Sequence, residues 1–171
     1  MVFDNIRFAL FCIKHHHKII HGVIKKGTSF IVEKGAVLSL GDRFGISSFS
    51  KITVRKGARL TIGKDFSSNN NLFVACREAI TIGNNANIGP NVVIVDNNHD
   101  YTSVDFKSKF VTRSITIGDN VWLGASVVVL PGTIIGDNVT IGAGTVVHGT
   151  IPPNTIVYNS GNLVFKQCLR K

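Results

Sequence analysis

The chain has 171 residues, 44% of them apolar and only 17% charged, so it is neither disordered nor a coiled coil and is long enough for one domain with a sizeable core. Nineteen Lys and Arg against ten Asp and Glu give a net charge of +9, which suits an anionic partner. No basic run is interleaved with aromatics and no helix-turn-helix or zinc-knuckle pattern appears, which argues against nucleic acid. No apolar run approaches the ~20 residues of a membrane span. No secretory leader is expected, and Cys12, Cys76 and Cys168 are an odd, scattered set that fits a reducing cytoplasm.

Residues 1–27 read as an N-terminal segment. Within it, residues 5–17 (NIRFALFCIKHHH) lack strand alternation and follow Asp4, a good N-cap. A short amphipathic helix is predicted there, plugging the first coil or resting on a membrane surface. His15, His16, His17 and His21 supply imidazoles, but sequence neighbours point apart and no carboxylate assists them, so no metal is expected.

Residues 28–165 are organised by a six-residue beat. It is clearest from Ile115 as ITIGDN, VWLGAS, VVVLPG, TIIGDN, VTIGAG and TVVHGT, and it occurs upstream as LSLGDR, LTIGKD, ITIGNN, ANIGPN and VVIVDN. The first and third residues of each line are mostly aliphatic and point inward, the second points outward, and the last three carry turn chemistry. No single line can bury its aliphatic pair alone, so the lines must stack as a solenoid with three lines, or 18 residues, per coil. Abundant Gly and Asn predict many positions with φ > 0. The period sorts outward residues onto three faces: Asn87, Trp122 and Thr140; Val93, Val128 and Val146; Thr81, Thr116 and Ile134. The valine row is the candidate oligomer contact.

Residues 98–114 (NHDYTSVDFKSKFVTRS) break the beat, which then resumes at Ile115, so a long loop is extruded there. Residues 166–171 form a basic tail containing Lys166, Arg170 and Lys171.

The line ITIGDNVWLGASVVVLPGTIIGDNVTIGAGTVV, the segment IPPN at 151–154 and a His opening the loop resemble the hexapeptide-repeat acetyltransferases, nearest in pattern to those acting on galactosides, maltose and exopolysaccharides. The resemblance implies an all-β, left-handed parallel β-helix. It also implies a homotrimer with sites between subunits, acetyl-CoA as donor, a sugar or glycan as acceptor, and no metal requirement.

Acyl transfer from a thioester to a hydroxyl needs a base that later protonates the departing thiolate, and imidazole titrates in the right range. His99, at the end of a regular coil, is the candidate and matches the family's catalytic His. Its orienting partner is left among Asp100, Asp105 and a backbone carbonyl. By resemblance, the backbone N–H of Ala125, after Trp122 and Gly124, serves the thioester oxyanion. Trp122 and Ala143 are expected along the pantetheine arm, and Lys166 at the CoA phosphates. The family's Thr-Lys is here His148-Gly149, removing one cation. Asn69 and Asn71 match acceptor contacts, and Arg77 stands where the family has an acidic one, which argues against a simple neutral galactoside and leaves room for an anionic or lipid-linked glycan.

The expected function is therefore acetyl transfer to a sugar hydroxyl in capsular or exopolysaccharide synthesis. The expected setting is the cytoplasm, peripheral to the inner membrane surface. Two rivals use the same prism. A γ-type carbonic anhydrase needs a further His pair beside the loop, and a non-catalytic scaffold needs a flat, regular face without an interrupting loop.

Overall fold

A computed structural model describes residues 21–159 and 161. The helix expected at 5–17, the clustered His15–His17, Cys12, Cys168 and the basic residues Lys166, Arg170 and Lys171 lie outside the described residues.

The strands stack as a parallel β-helix with three faces. Face A runs through Gly22–Ile24, Phe44–Ile46, Ser67–Ser68, Asn87–Ile88, Trp122–Leu123, Thr140–Ile141 and Ile156–Val157. Face B holds Ser29–Val32, Lys51–Val54, Phe73–Cys76, Val93–Val95, Val128–Val129 and Val146–Val147. Face C holds Val37–Leu40, Arg59–Ile62, Ala79–Ile82, Ile115–Ile117, Ile134–Ile135 and Thr150–Ile151. Among the described residues the regular pairing already includes Gly22, which is opposite Phe44, ahead of residue 28 where the six-residue beat begins.

All three predicted outward rows are in register. Trp122 lies between Asn87 and Thr140, Val128 between Val93 and Val146, and Thr116 between Thr81 and Ile134.

The 18-residue coil holds only near the C-terminal end, where Trp122 pairs with Thr140. Ile52 pairs with Val74, a step of 22 residues, and Ser67 with Asn87, a step of 20. The cause is strand length rather than corner length. On face B, Ser50, Ile52 and Val54 all point into the core, whereas the later coils bury only Val127 and Val129 or Thr145 and Val147. The added inward pair widens faces B and C, so the prism tapers. Its wide end is filled by the stacked rings of Phe44 and Phe66, 5.2 Å apart.

The positive-φ expectation is met at the corners. Asn71, Asn85, Asn91, Asn120, Asn138 and Asn154 all adopt φ between 54° and 63°. Along the C/A edge Asn85, Asn120, Asn138 and Asn154 form a ladder in which each of the first three donates an amide N–H to the next, at 2.9, 2.9 and 3.0 Å. Asn tolerates this conformation better than other side chains, and the ladder adds a bond that Gly would forgo.

Candidate active site

The extruded segment is a hairpin. Asn97–His99 pairs antiparallel with Phe110–Thr112, placing His99 opposite Phe110. Its neck is held by Asp96, which occupies the inward position after Ile94 and is completely buried. In the preceding coil that column holds Cys76, whose thiol is pushed up to about 12 by burial and then by the neighbouring Asp96. The Asp96 carboxylate accepts from the backbone N–H of Arg77 (2.8 Å) and Glu78 (2.8 Å) and from Asn97 Nδ2 (3.0 Å). Its own carbonyl accepts from Arg113 N at 2.9 Å, closing the hairpin. A buried carboxylate is tolerable because several donors replace water.

His99 Nδ1 is 2.7 Å from the carbonyl oxygen of Phe106. A carbonyl only accepts, so Nδ1 carries the proton and Nε2 is the basic nitrogen. Of the three open partners, the backbone carbonyl is the one that orients the ring. Asp100 is engaged elsewhere: its Oδ1 accepts from Thr102 Oγ1 at 2.6 Å and Thr102 N at 3.1 Å, which holds its carboxyl below the usual range.

His99 lines a cleft of about 670 Å³ with Asn98, Tyr101, Val111, Arg113, Pro131 and His148. Two departures from regular coiling open it. The hairpin replaces one B/C corner, and two coils later that corner is shortened: Ile134 pairs with Thr150, 16 residues on, while Val128 pairs with Val146, 18 on. His148 and Gly149, which form that short corner, line the cleft together with Arg113. The Arg113 guanidinium has no hydrogen-bond partner among the described residues, although its stem packs on Gly132.

The other candidates lie elsewhere. Trp122 is on face A and 53% exposed. Asn69 and Asn71, then Gly124 and Ala125, then Ala143 lie at successive levels of the A/B edge with the 89–91 corner between the first two, and Asn71 Nδ2 is bonded to Asn91 Oδ1 at 3.0 Å. Gly124 is required by stacking, since a Cβ there would meet the backbone N of Ala143 at 2.7 Å. Arg77 is on the B/C edge, its guanidinium 3.4 Å over the ring of Phe110. His99 and the A/B row are thus separated within one chain by the whole of face B. Among the described residues, no group of three His, Cys, Asp or Glu is arranged to hold a metal ion.

Sequence reasoning missed Asp96, Phe106, Phe110 and Arg113. Asp96 left a legible trace, an acidic residue at an inward position after VVIV; Phe106 acts through its backbone and left none.

The coil, its register and its corners define a hexapeptide-repeat β-helix. Residues 114–149 match the model of the bacterial transferase hexapeptide (six repeats) family. It is 41% identical over 101 residues to the galactoside O-acetyltransferase of Escherichia coli, covering 58% of this chain and 50% of that protein. It is 39% identical over 99 residues to a putative lipopolysaccharide biosynthesis O-acetyl transferase, WbbJ, of the same organism, covering 52% and 50%. The chain thus spans about half the length of these curated relatives. In structure it is similar to a galactoside acetyltransferase in complex with coenzyme A, with a TM-score of 0.54 and 32% identity over 83% of this chain and 65% of that one.

Proposed function

We propose that this protein is an acetyl-CoA-dependent O-acetyltransferase that acetylates a sugar hydroxyl in capsular or exopolysaccharide synthesis, with His99 as general base. The observation that carries the reading is the Nδ1–Phe106 bond, which fixes the tautomer of an imidazole lining a cleft. The relatives named for galactoside and lipopolysaccharide O-acetyl transfer support the substrate class.

In the proposed reaction the acceptor O–H proton moves to His99 Nε2 as the oxygen bonds to the thioester carbonyl carbon. The backbone N–H of Ala125 meets the developing oxyanion. When the C–S bond breaks, Nε2–H returns the proton to the thiolate, giving free coenzyme A and the acetyl ester. Arg113 in the cleft, and Lys166 in the tail, are the proposed contacts to the donor's phosphates.

Because His99 is on the B/C edge while Trp122, Ala125 and Ala143 follow face A and the A/B edge, one acetyl-CoA meets both sets only between two subunits. A homotrimer with the face B valines at its contacts supplies that arrangement. Asn69 and Asn71 are the proposed acceptor contacts. The proposed setting is the cytoplasm, peripheral to the inner membrane surface. The reading is tested by coenzyme A release from acetyl-CoA over a panel of free sugars, nucleotide sugars and oligosaccharides. Acetyl ester formed in step with coenzyme A supports it, and no release with any acceptor class counts against it.

A further inference from the structure

Arg77 and His99 approach the same aromatic ring. The Arg77 guanidinium carbon is 3.4 Å from the centroid of Phe110, and the His99 ring centroid is 4.5 Å from it with the planes tilted 36°. A guanidinium centred at 3.4 Å leaves no space on that face for a second ring at 4.5 Å, so Phe110 is sandwiched between them. Arg77 belongs to the rigid prism, because its N–H is bonded to the buried Asp96 at 2.8 Å. Phe110 and His99 are cross-strand partners on the hairpin. The row Arg77–Phe110–His99 thus ties an otherwise exposed imidazole to the solenoid wall.

We infer that Arg77 and Phe110 are positioning residues for His99, and that Arg77 is not the acceptor contact its sequence position suggests. The inference rests on the reading of His99 as the general base. The Phe106 carbonyl fixes one ring nitrogen, but a single bond leaves the imidazole free to swing about it. Phe110 blocks that swing from one side. Phe110 is in turn held against the prism by the cation on its far face, where guanidinium and aromatic quadrupole attract. Catalytic rate is steep in such placement, whereas substrate binding is not.

The test uses the full-length protein and the variants Arg77→Met, Arg77→Lys and Phe110→Leu. Met and Leu keep apolar bulk while removing the cation or the aromatic face. The expected result for Arg77→Met and Phe110→Leu is a kcat about tenfold lower, with KM for acetyl-CoA and acceptor within twofold; Arg77→Lys recovers part of the loss. The second readout is independent of activity: 15N shifts of the His99 ring. The wild type should show the Nδ1–H tautomer, and Arg77→Met and Phe110→Leu a mixture. A raised acceptor KM at unchanged kcat would overturn the inference and make Arg77 an acceptor contact. An unchanged tautomer pattern in both variants would also overturn it. A wild type inert toward every acceptor would remove the functional reading, leaving the nitrogen shifts to decide the positioning.

Discussion

His99 Nδ1 is bonded at 2.7 Å to the carbonyl of Phe106, seven residues along the same hairpin. The loop thus supplies the proposed base and its orienting group together, while the prism supplies the anchor through Asp96 and Arg77. Asp100, one of the alternatives the sequence leaves open for that role, is bound to Thr102 instead.

Asp96 holds the neck of the hairpin. Asp96→Ala leaves the partly buried Arg77 and Glu78 amides without their acceptor, at a cost of about 2 kcal/mol. Chemical denaturation should show the loss, and hydrogen exchange should quicken at Arg77 and Glu78. Stability within about 0.5 kcal/mol of wild type would refute the anchoring role.

The subunit contact is tested at Val128, in the middle of the valine row on face B. Val128→Lys places an unpaired charge in the proposed interface, so sedimentation should show dissociation to smaller species, with loss of activity. An intact trimer would remove the face assignment and leave the fold untouched.

Donor recognition is tested at Arg113 and Lys166. Each change to Ala should raise KM for acetyl-CoA roughly tenfold, equivalent to about 1–2 kcal/mol, at nearly unchanged kcat. Acetyl-pantetheine, which lacks the nucleotide phosphates, should be indifferent to both. Equal sensitivity of the two donors would mean that these cations do not meet phosphate.

Cys76 gives a pH dependence. Its thiol ionises near 9 when free and is pushed up to about 12 in the fold. The neutral form is favoured in the native state, so this contribution is fully present below about pH 9 and is lost as pH rises toward 12. Denaturation midpoints should fall across that window, and a Cys76→Ala variant should fall less steeply. Native protein at pH 8 should also resist thiol alkylation at this residue until unfolded.

Much of the architecture was legible because a solenoid repeats its own instructions. The inward pairs of ITIGDN and VTIGAG, the outward row Val93–Val128–Val146 and the Asn corners each follow from one alternation rule. The taper was less legible, since Ser50 and Ala58 are small inward residues that the six-residue beat passes over. His99 was visible because it interrupts the pattern. Its surroundings were not: Phe106 acts through a main-chain oxygen, and Arg77 meets Phe110 only after the hairpin folds back. Motif matching reads Arg77 by position, and the fold gives its side chain a different neighbour.

The most direct test compares wild type with His99→Ala for coenzyme A release from acetyl-CoA in the presence of a sugar acceptor. His99 is exposed on a hairpin, so the variant should keep the fold and the thermal transition of the wild type. Its turnover should fall by about two orders of magnitude or more, as loss of a general base requires. A folded His99→Ala protein with activity within a few-fold of wild type would contradict the account.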